Sequence, residues 1–185
     1  VVDSAELTVD ADGWGAPMVV TGQGMRFETG PAGQGLGIAE VELGEASRLA
    51  GVEARIRPAS GDEEVGRVDA AFDTVHVTPA LVARLAAEPR FAAPVTVTGS
   101  AGGRLDGIAF DVKASVADGG VLGLEGDVDA LAGSYAVDLE GTGLRPGAWL
   151  AGEMPASTFD ATGTVSGRGL APEIRLTLTD GRVGA

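Results

Sequence analysis

Apolar and polar residues alternate with a period of two along most of this chain, and that alternation limits what it can fold into. Phe110, Val112, Ala114 and Val116 interleave with Asp111, Lys113 and Ser115. Tyr135, Val137 and Leu139 interleave with Ala136 and Asp138, and Ile174, Leu176 and Leu178 with Arg175 and Thr177. Val95 and Val97 follow the same rule, as do Phe159, Ala161 and Val165 (Gly163 holds the phase) and Leu122, Leu124, Val128 and Ala130. Earlier segments are Leu7/Val9/Ala11, Ala39/Val41/Leu43 and Val52/Ala54/Ile56. Successive side chains of a strand point to opposite faces, so each segment offers one apolar and one polar face. Such strands belong to antiparallel sheet with one wet side, not to parallel sheet buried on both.

Turn chemistry separates the segments. Asp12-Gly13, Asp106-Gly107, Asp118-Gly119-Gly120 and Asp180-Gly181 favour the positive φ angles of tight hairpins. Gly22-Gln23-Gly24 and the stretch from Gly30 to Gly37 also read as turns or a floppy hairpin end, because the helix and lysine of a phosphate loop are absent. Ten or eleven strands are expected, each of about six to eight residues, or roughly 20 to 26 Å. Two segments interrupt the alternation. Thr78-Pro79 followed by Ala80, Leu81, Val82, Ala83, Arg84, Leu85 and Ala86 predicts a short helix with Thr78 as N-cap and Pro79 as first helical residue. The segment from Arg145 through Pro146 to Leu150 is a shorter version. The two breaks lie 67 residues apart, and Thr98-Gly99 and Ser166-Gly167 lie 68 apart, which points to a weak repeat over 68–134 and 135–185.

Composition narrows the function. The 185 residues carry a formal charge of −14, which opposes binding to a phosphate backbone, so no nucleic acid is expected as a partner. With no cysteine, disulfides, thiolate metal sites and cysteine catalysis are excluded. A hydrophobic fraction of 44% argues against a disordered acidic chain, and 30 glycines fit frequent turns. No apolar run approaches the ~18 residues of a membrane-spanning helix. The chain begins at Val1, with no signal peptide, and the whole of 1–185 is expected to be a single fragment of a longer repetitive protein.

No catalytic constellation emerges. His76, the only histidine, has Asp73 three residues away, but no Gly-x-Ser-x-Gly elbow supplies a nucleophile. The many carboxylates follow solvent faces rather than forming a converging pair. Asp10-x-Asp12-Gly13 lacks the later ligands of a calcium loop. Trp14 and Trp149 fit caps on the ends of a core better than sugar-stacking platforms. The chain is therefore expected not to be an enzyme, with no catalytic residue, no metal site and no cofactor.

The apolar face remains. A second sheet could cover it in a closed sandwich, which periodicity alone favours, or it could line an open groove for a ligand. In the second case the lining is Val95, Val97, Phe110, Val112, Val116, Leu122, Leu124, Tyr135, Val137, Leu139, Phe159, Val165, Ile174, Leu176 and Leu178.

Several local phrases carry a family resemblance. They are Arg67-Val68-Asp69, Val75-His76-Val77-Thr78-Pro79-Ala80-Leu81, Val95-Thr96-Val97-Thr98-Gly99, Tyr135 to Gly141, Gly143-Leu144-Arg145-Pro146 and Ser166-Gly167-Arg168-Gly169. The stretch from Gly66 to Ala185 resembles the AsmA-like proteins of Gram-negative envelopes, and among them the TamB branch; the first 65 residues do so only loosely. The resemblance implies an all-β, elongated and curved antiparallel sheet with one or two short helices, folded into a U-shaped trough (a β-taco). It implies a periplasmic location as part of an inner-membrane-anchored protein, and carriage of phospholipid acyl chains between membranes. It also implies support for outer-membrane protein assembly, with an Omp85-type barrel as partner through regions outside this fragment. The membrane anchor and a barrel-docking region are absent from the sequence. The alternative is a structural or adhesive β-domain of a surface protein, with a closed core and no ligand.

Overall fold

The structure is a computed structural model that describes residues 1–9, 18–30, 33–59, 65–85, 91–154, 156–169 and 171–183. Eleven strands follow one another: β1 (Val2–Val9), β2 (Met18–Gly30), β3 (Gly33–Glu42), β4 (Arg48–Arg57), β5 (Arg67–Val77), β6 (Val95–Arg104), β7 (Gly107–Val116), β8 (Gly120–Asp129), β9 (Ser134–Leu144), β10 (Ser157–Arg168) and β11 (Ala171–Val183). Helix α1 (Pro79–Leu85) lies between β5 and β6, and α2 (Pro146–Trp149) between β9 and β10. Every strand pairs antiparallel with its sequence neighbours, in the order β1 to β11, and the sheet does not close on itself. The fold is thus all-β: one open meander in which each hairpin extends the same layer. No helix among the described residues is long and apolar enough to cross a membrane.

The closed sandwich does not form, because the described residues make one sheet rather than two. Surface area shows how far the molecule is from a compact body. Its accessible surface is 11587 Å² at a mass of 18.4 kDa. A compact monomer of that mass exposes about 8200 Å². The described hydrophobic residues that are buried are Met18, Leu81, Val95, Val116 and Ala161. They gather toward the end of the sheet that carries α1, α2 and the β3–β4 and β7–β8 turns, so what core there is sits under that edge.

The expected helix forms over Pro79–Leu85, and Ala86 lies outside the described residues. The Thr78 hydroxyl accepts from the Leu81 N–H at 3.3 Å and the Thr78 carbonyl accepts from the Val82 N–H at 3.2 Å, as an N-cap does. A second set of bonds anchors this corner. Ser47, fully buried, accepts from the Thr78 N–H at 2.9 Å, and the Thr78 hydroxyl donates to the Glu45 carbonyl at 2.7 Å. The β3–β4 turn is thereby fastened to the start of α1.

Other expectations need correction. The strands run from 8 to 13 residues, longer than expected, because β2, β3 and β11 continue through glycines that resemble turn residues. Gly22-Gln23-Gly24 lies inside β2 rather than in a turn, whereas the stretch from Gly30 to Gly37 holds the β2–β3 hairpin end, where Gly30 faces Gly33, and then runs on inside β3. Asp180-Gly181 also falls within a strand. It forms a bulge in β11, where Arg182 faces Thr158 but Thr179 faces Asp160. Similar slips occur between Phe72 and Val75 in β5 and opposite Phe159 and Ala161 in β9. In β9 the extra residue takes up Gly143 at φ 60°, and its N–H is satisfied by Asp160 Oδ1 at 2.6 Å. All three bulges lie toward the helix-bearing end. The Asp12-Gly13 turn, Asp10, Ala11 and Trp14 lie outside the described residues.

Candidate functional site

In an antiparallel ladder, directly opposed residues share a face, so register shows which side chains come together. One row runs Val97–Ala114–Leu122–Gly141–Ala161–Leu178 across β6 to β11. The next runs Gly99–Val112–Leu124–Leu139–Gly163–Leu176, and the next Ala101–Phe110–Gly126–Val137–Val165–Ile174. Val95 faces Val116, Tyr135 faces Val128, and Phe159 faces Leu144 on the same side. All fifteen residues expected to line one face therefore do share a face, from β6 to β11.

The face also extends beyond them. Ala101 faces Ala70 and Gly99 faces Phe72, which brings in β5. Ala70 faces Ala54, Ala54 faces Leu36 and Leu36 faces Phe27, which reaches β2. Sequence reasoning missed Phe27, Leu36 and Phe72, although Val52, Ala54 and Ile56 carried the right phase. The Ala39/Val41/Leu43 phase was misread: Val41 faces Leu49 and Leu49 faces Val75, whereas Ala39 is exposed beside Ile38, which faces Val52. A slip in the alternation between Ile38 and Val41 accounts for the difference.

Residues of one type show that the two faces differ. Ala54, Ala70, Ala101 and Ala114 on the apolar face are half-buried, whereas Ala71, Ala109 and Ala136 on the other face are exposed. The apolar side is thus the sheltered one, although no second layer of sheet lies on it among the described residues. Val95 and Val116 are buried, most of the central lining is half-buried, and the edge strand β11 leaves Ile174, Leu176 and Leu178 exposed at 66%, 57% and 59%. With about 4.8 Å between neighbouring strands, the nine steps from β2 to β11 give the face a length of roughly 43 Å.

The opposite face is polar and holds shallow hollows where glycine leaves gaps between long side chains. One, of about 510 Å³, lies over Gly35, Gly37 and Gly102 and is ringed by Arg26, Glu28, Glu53, Arg55, Arg57 and Asp69. These charges pair with one another: Arg57 with Asp69 at 2.6 Å, Arg26 with Glu28 at 3.3 Å and Arg55 with Glu28 at 3.6 Å. A second hollow, of about 650 Å³, includes Asp111, Lys113, Glu125, Asp138 and Arg175.

The residues weighed for chemistry are dispersed. His76 faces Arg48 and Thr96, with Nδ1 3.4 Å from the Thr96 hydroxyl, while the Asp73 side chain lies over Gly51. Trp149 donates its indole N–H to the Gly119 carbonyl at 2.6 Å and is half-buried, which suits a cap rather than a stacking platform. Among the described residues no group of three or more His, Asp or Glu could hold a metal ion.

Fold and face together define a single-layer, open antiparallel sheet with one continuous apolar surface. Comparison with family models, with curated proteins and with solved structures finds no match to this chain.

Proposed function

We propose that this chain is a section of a lipid-transport protein of the AsmA-like, TamB-like kind, which passes phospholipid acyl chains along its apolar face. On this reading it works in the periplasm as part of an inner-membrane-anchored protein, and any outer-membrane barrel of the Omp85 type engages regions outside residues 1–185. The observation that supports it is the uncovered apolar lattice, in a molecule whose 11587 Å² of surface exceeds the compact expectation of about 8200 Å². An apolar surface of this extent usually serves a ligand or partner. Aliphatic side chains and glycines fit flexible methylene chains, which need contact area rather than directed hydrogen bonds. Transport would be passive, with acyl chains on the face and head groups toward water.

The test is photocrosslinking to phospholipid from Val112, Leu124 and Leu139, with Lys113 on the opposite face as control. Adducts are expected at the first three and not at Lys113. Val112→Asp should block lipid passage, while Lys113→Glu leaves it intact. Passage that survives Val112→Asp in a folded protein, or equal labelling from both faces, refutes the reading.

A further inference from the structure

Arg57, Arg67 and Arg104 stand side by side on three neighbouring strands. Arg57 is the register partner of Arg67, and Arg67 is that of Arg104. They occupy the last residue of β4, the first of β5 and the last of β6, so the row forms part of the sheet end opposite the helices. Like charges directly opposed destabilise a sheet, and here three guanidinium groups share a row in a chain of net charge −14. The outer two are neutralised: Arg57 Nη2 donates to Asp69 Oδ2 at 2.6 Å, and Arg104 Nε and Nη2 donate to the two Asp106 oxygens at 2.9 and 2.8 Å. Arg67, half-buried between them, forms no ion pair among the described residues. The row therefore carries one uncompensated guanidinium flanked by two more, an arrangement suited to a tetrahedral oxyanion with several acceptor oxygens. Ile56 and Val68, which face each other one residue inward, point to the apolar side, so the arginine row occupies the polar face where the sheet ends.

We propose that Arg57, Arg67 and Arg104 form a binding site for a phosphate-type oxyanion, carried by a lipid head group or as free phosphate. The head-group source rests on the lipid-transport reading, since it would set the phosphate at the rim while the acyl chains lie on the apolar face. The anion site itself stands on the arginine geometry.

The test follows the Arg67 Nε–H resonance of the whole chain during titration with inorganic phosphate, and separately measures binding to vesicles of phosphatidylglycerol and of phosphatidylcholine. A shift with inorganic phosphate supports the site with free phosphate as source. A preference for phosphatidylglycerol vesicles that Arg67→Gln removes supports it with a lipid head group as source. In either arm Arg67→Gln is expected to weaken binding about tenfold, the loss of one charge-assisted contact set. If that variant does not fold, Arg67→Lys, which keeps the charge but loses the fork, is expected to weaken binding by a smaller factor. No Arg67 response in the parent chain, in either arm, means that its own carboxylates or water satisfy Arg67 and overturns the proposal. Uptake of an uncharged diacylglycerol probe onto the apolar face is read in parallel. Failed uptake with an intact phosphate response overturns the transport reading alone, and the reverse result overturns the arginine site alone.

Discussion

Phe91 and Leu150 pair as an isolated antiparallel bridge, although one leads into β6 and the other leaves α2 after β9. The bridge spans the ends of β7 and β8. Beside it the Ala92 N–H donates to the Trp149 carbonyl at 3.1 Å, and the Gly119 carbonyl in the β7–β8 turn accepts from both Trp149 Nε1 at 2.6 Å and the Arg145 N–H at 3.1 Å. Four strand ends are thereby joined by one strap. Helix α2 depends on it, being four residues long with no side-chain cap and no buried residue. A helix so short does not persist by its own hydrogen bonds.

Trp149→Phe tests the strap. The change keeps most of the ring and removes the donor to Gly119, at an expected cost of about 1 kcal/mol. Hydrogen exchange should quicken at the amides of residues 145 and 119 while the centre of β7 stays protected. Unchanged exchange at the turn would show that the strap is held by the backbone bonds alone.

Gly99 and Phe72 provide a test of the face itself. They are register partners, and a Cβ at Gly99 would lie 3.2 Å from Phe72 Cζ, 2.9 Å from Val112 Cγ2 and 2.8 Å from the Asp111 carbonyl oxygen. The ring covers the glycine, and a methyl group there would push against both side chain and backbone. Gly99→Ala should destabilise by about 1–3 kcal/mol, the cost of overpacking, despite the usual gain from replacing glycine. A urea midpoint that falls with an unchanged slope confirms it, and a midpoint that rises contradicts the packing.

These examples show what was legible in the sequence. The alternation of Phe110 to Val116 and of Ile174 to Leu178 fixed both strand type and face, because a two-residue period is a local property of the backbone. The N-cap at Thr78 was legible for the same reason: hydroxyl, proline and helix are contiguous. Phase across a bulge was not. Glycines at 143 and 181 resemble turn residues, yet each sits in a strand that continues past a slip, and Ile38 to Val41 hides another. Whether anything covers the apolar face was also beyond local reading, since the same alternation serves a sandwich and an open sheet. Nothing in the segments around Phe91 and Leu150 announced their pairing, which depends on how four strands stack between them. The arginine row likewise needs the registers of β4, β5 and β6 to be known.

Arg104 and Asp106 give a pH prediction. The Arg104 side-chain hydrogen bonds, chiefly, hold the exposed Asp106 carboxyl below its ordinary value of 3.8. A carboxyl whose folded pKa is depressed contributes its stabilisation above the unfolded value and loses it as pH falls through the folded one. The contribution of this pair is therefore complete at neutral pH and disappears in the acid range below about 4. A carboxyl-carbon titration by NMR should place the Asp106 midpoint below 3.8, and Arg104→Gln should move it back up. A midpoint unaffected by Arg104→Gln would mean the hairpin turn, not the ion pair, sets the acidity.

Leu124 and Leu176 occupy the same row of the apolar face but differ in their neighbours. Leu124 lies on β8 between Val112 and Leu139 and is half-buried, whereas Leu176 lies on the edge strand and is 57% exposed. Truncation removes the same three carbons in both, so the difference reports how much contact the sheet alone provides. Leu124→Ala is expected to cost about 1–2 kcal/mol, below the 2–5 typical of a closed core because one side of this face is open. Leu176→Ala should cost less than about 0.5 kcal/mol. Denaturant midpoints of the two variants decide the matter. Equal losses would mean that β11 is covered in solution by something that packs on Leu176, and a loss at Leu124 as large as in a closed core would mean the whole face is.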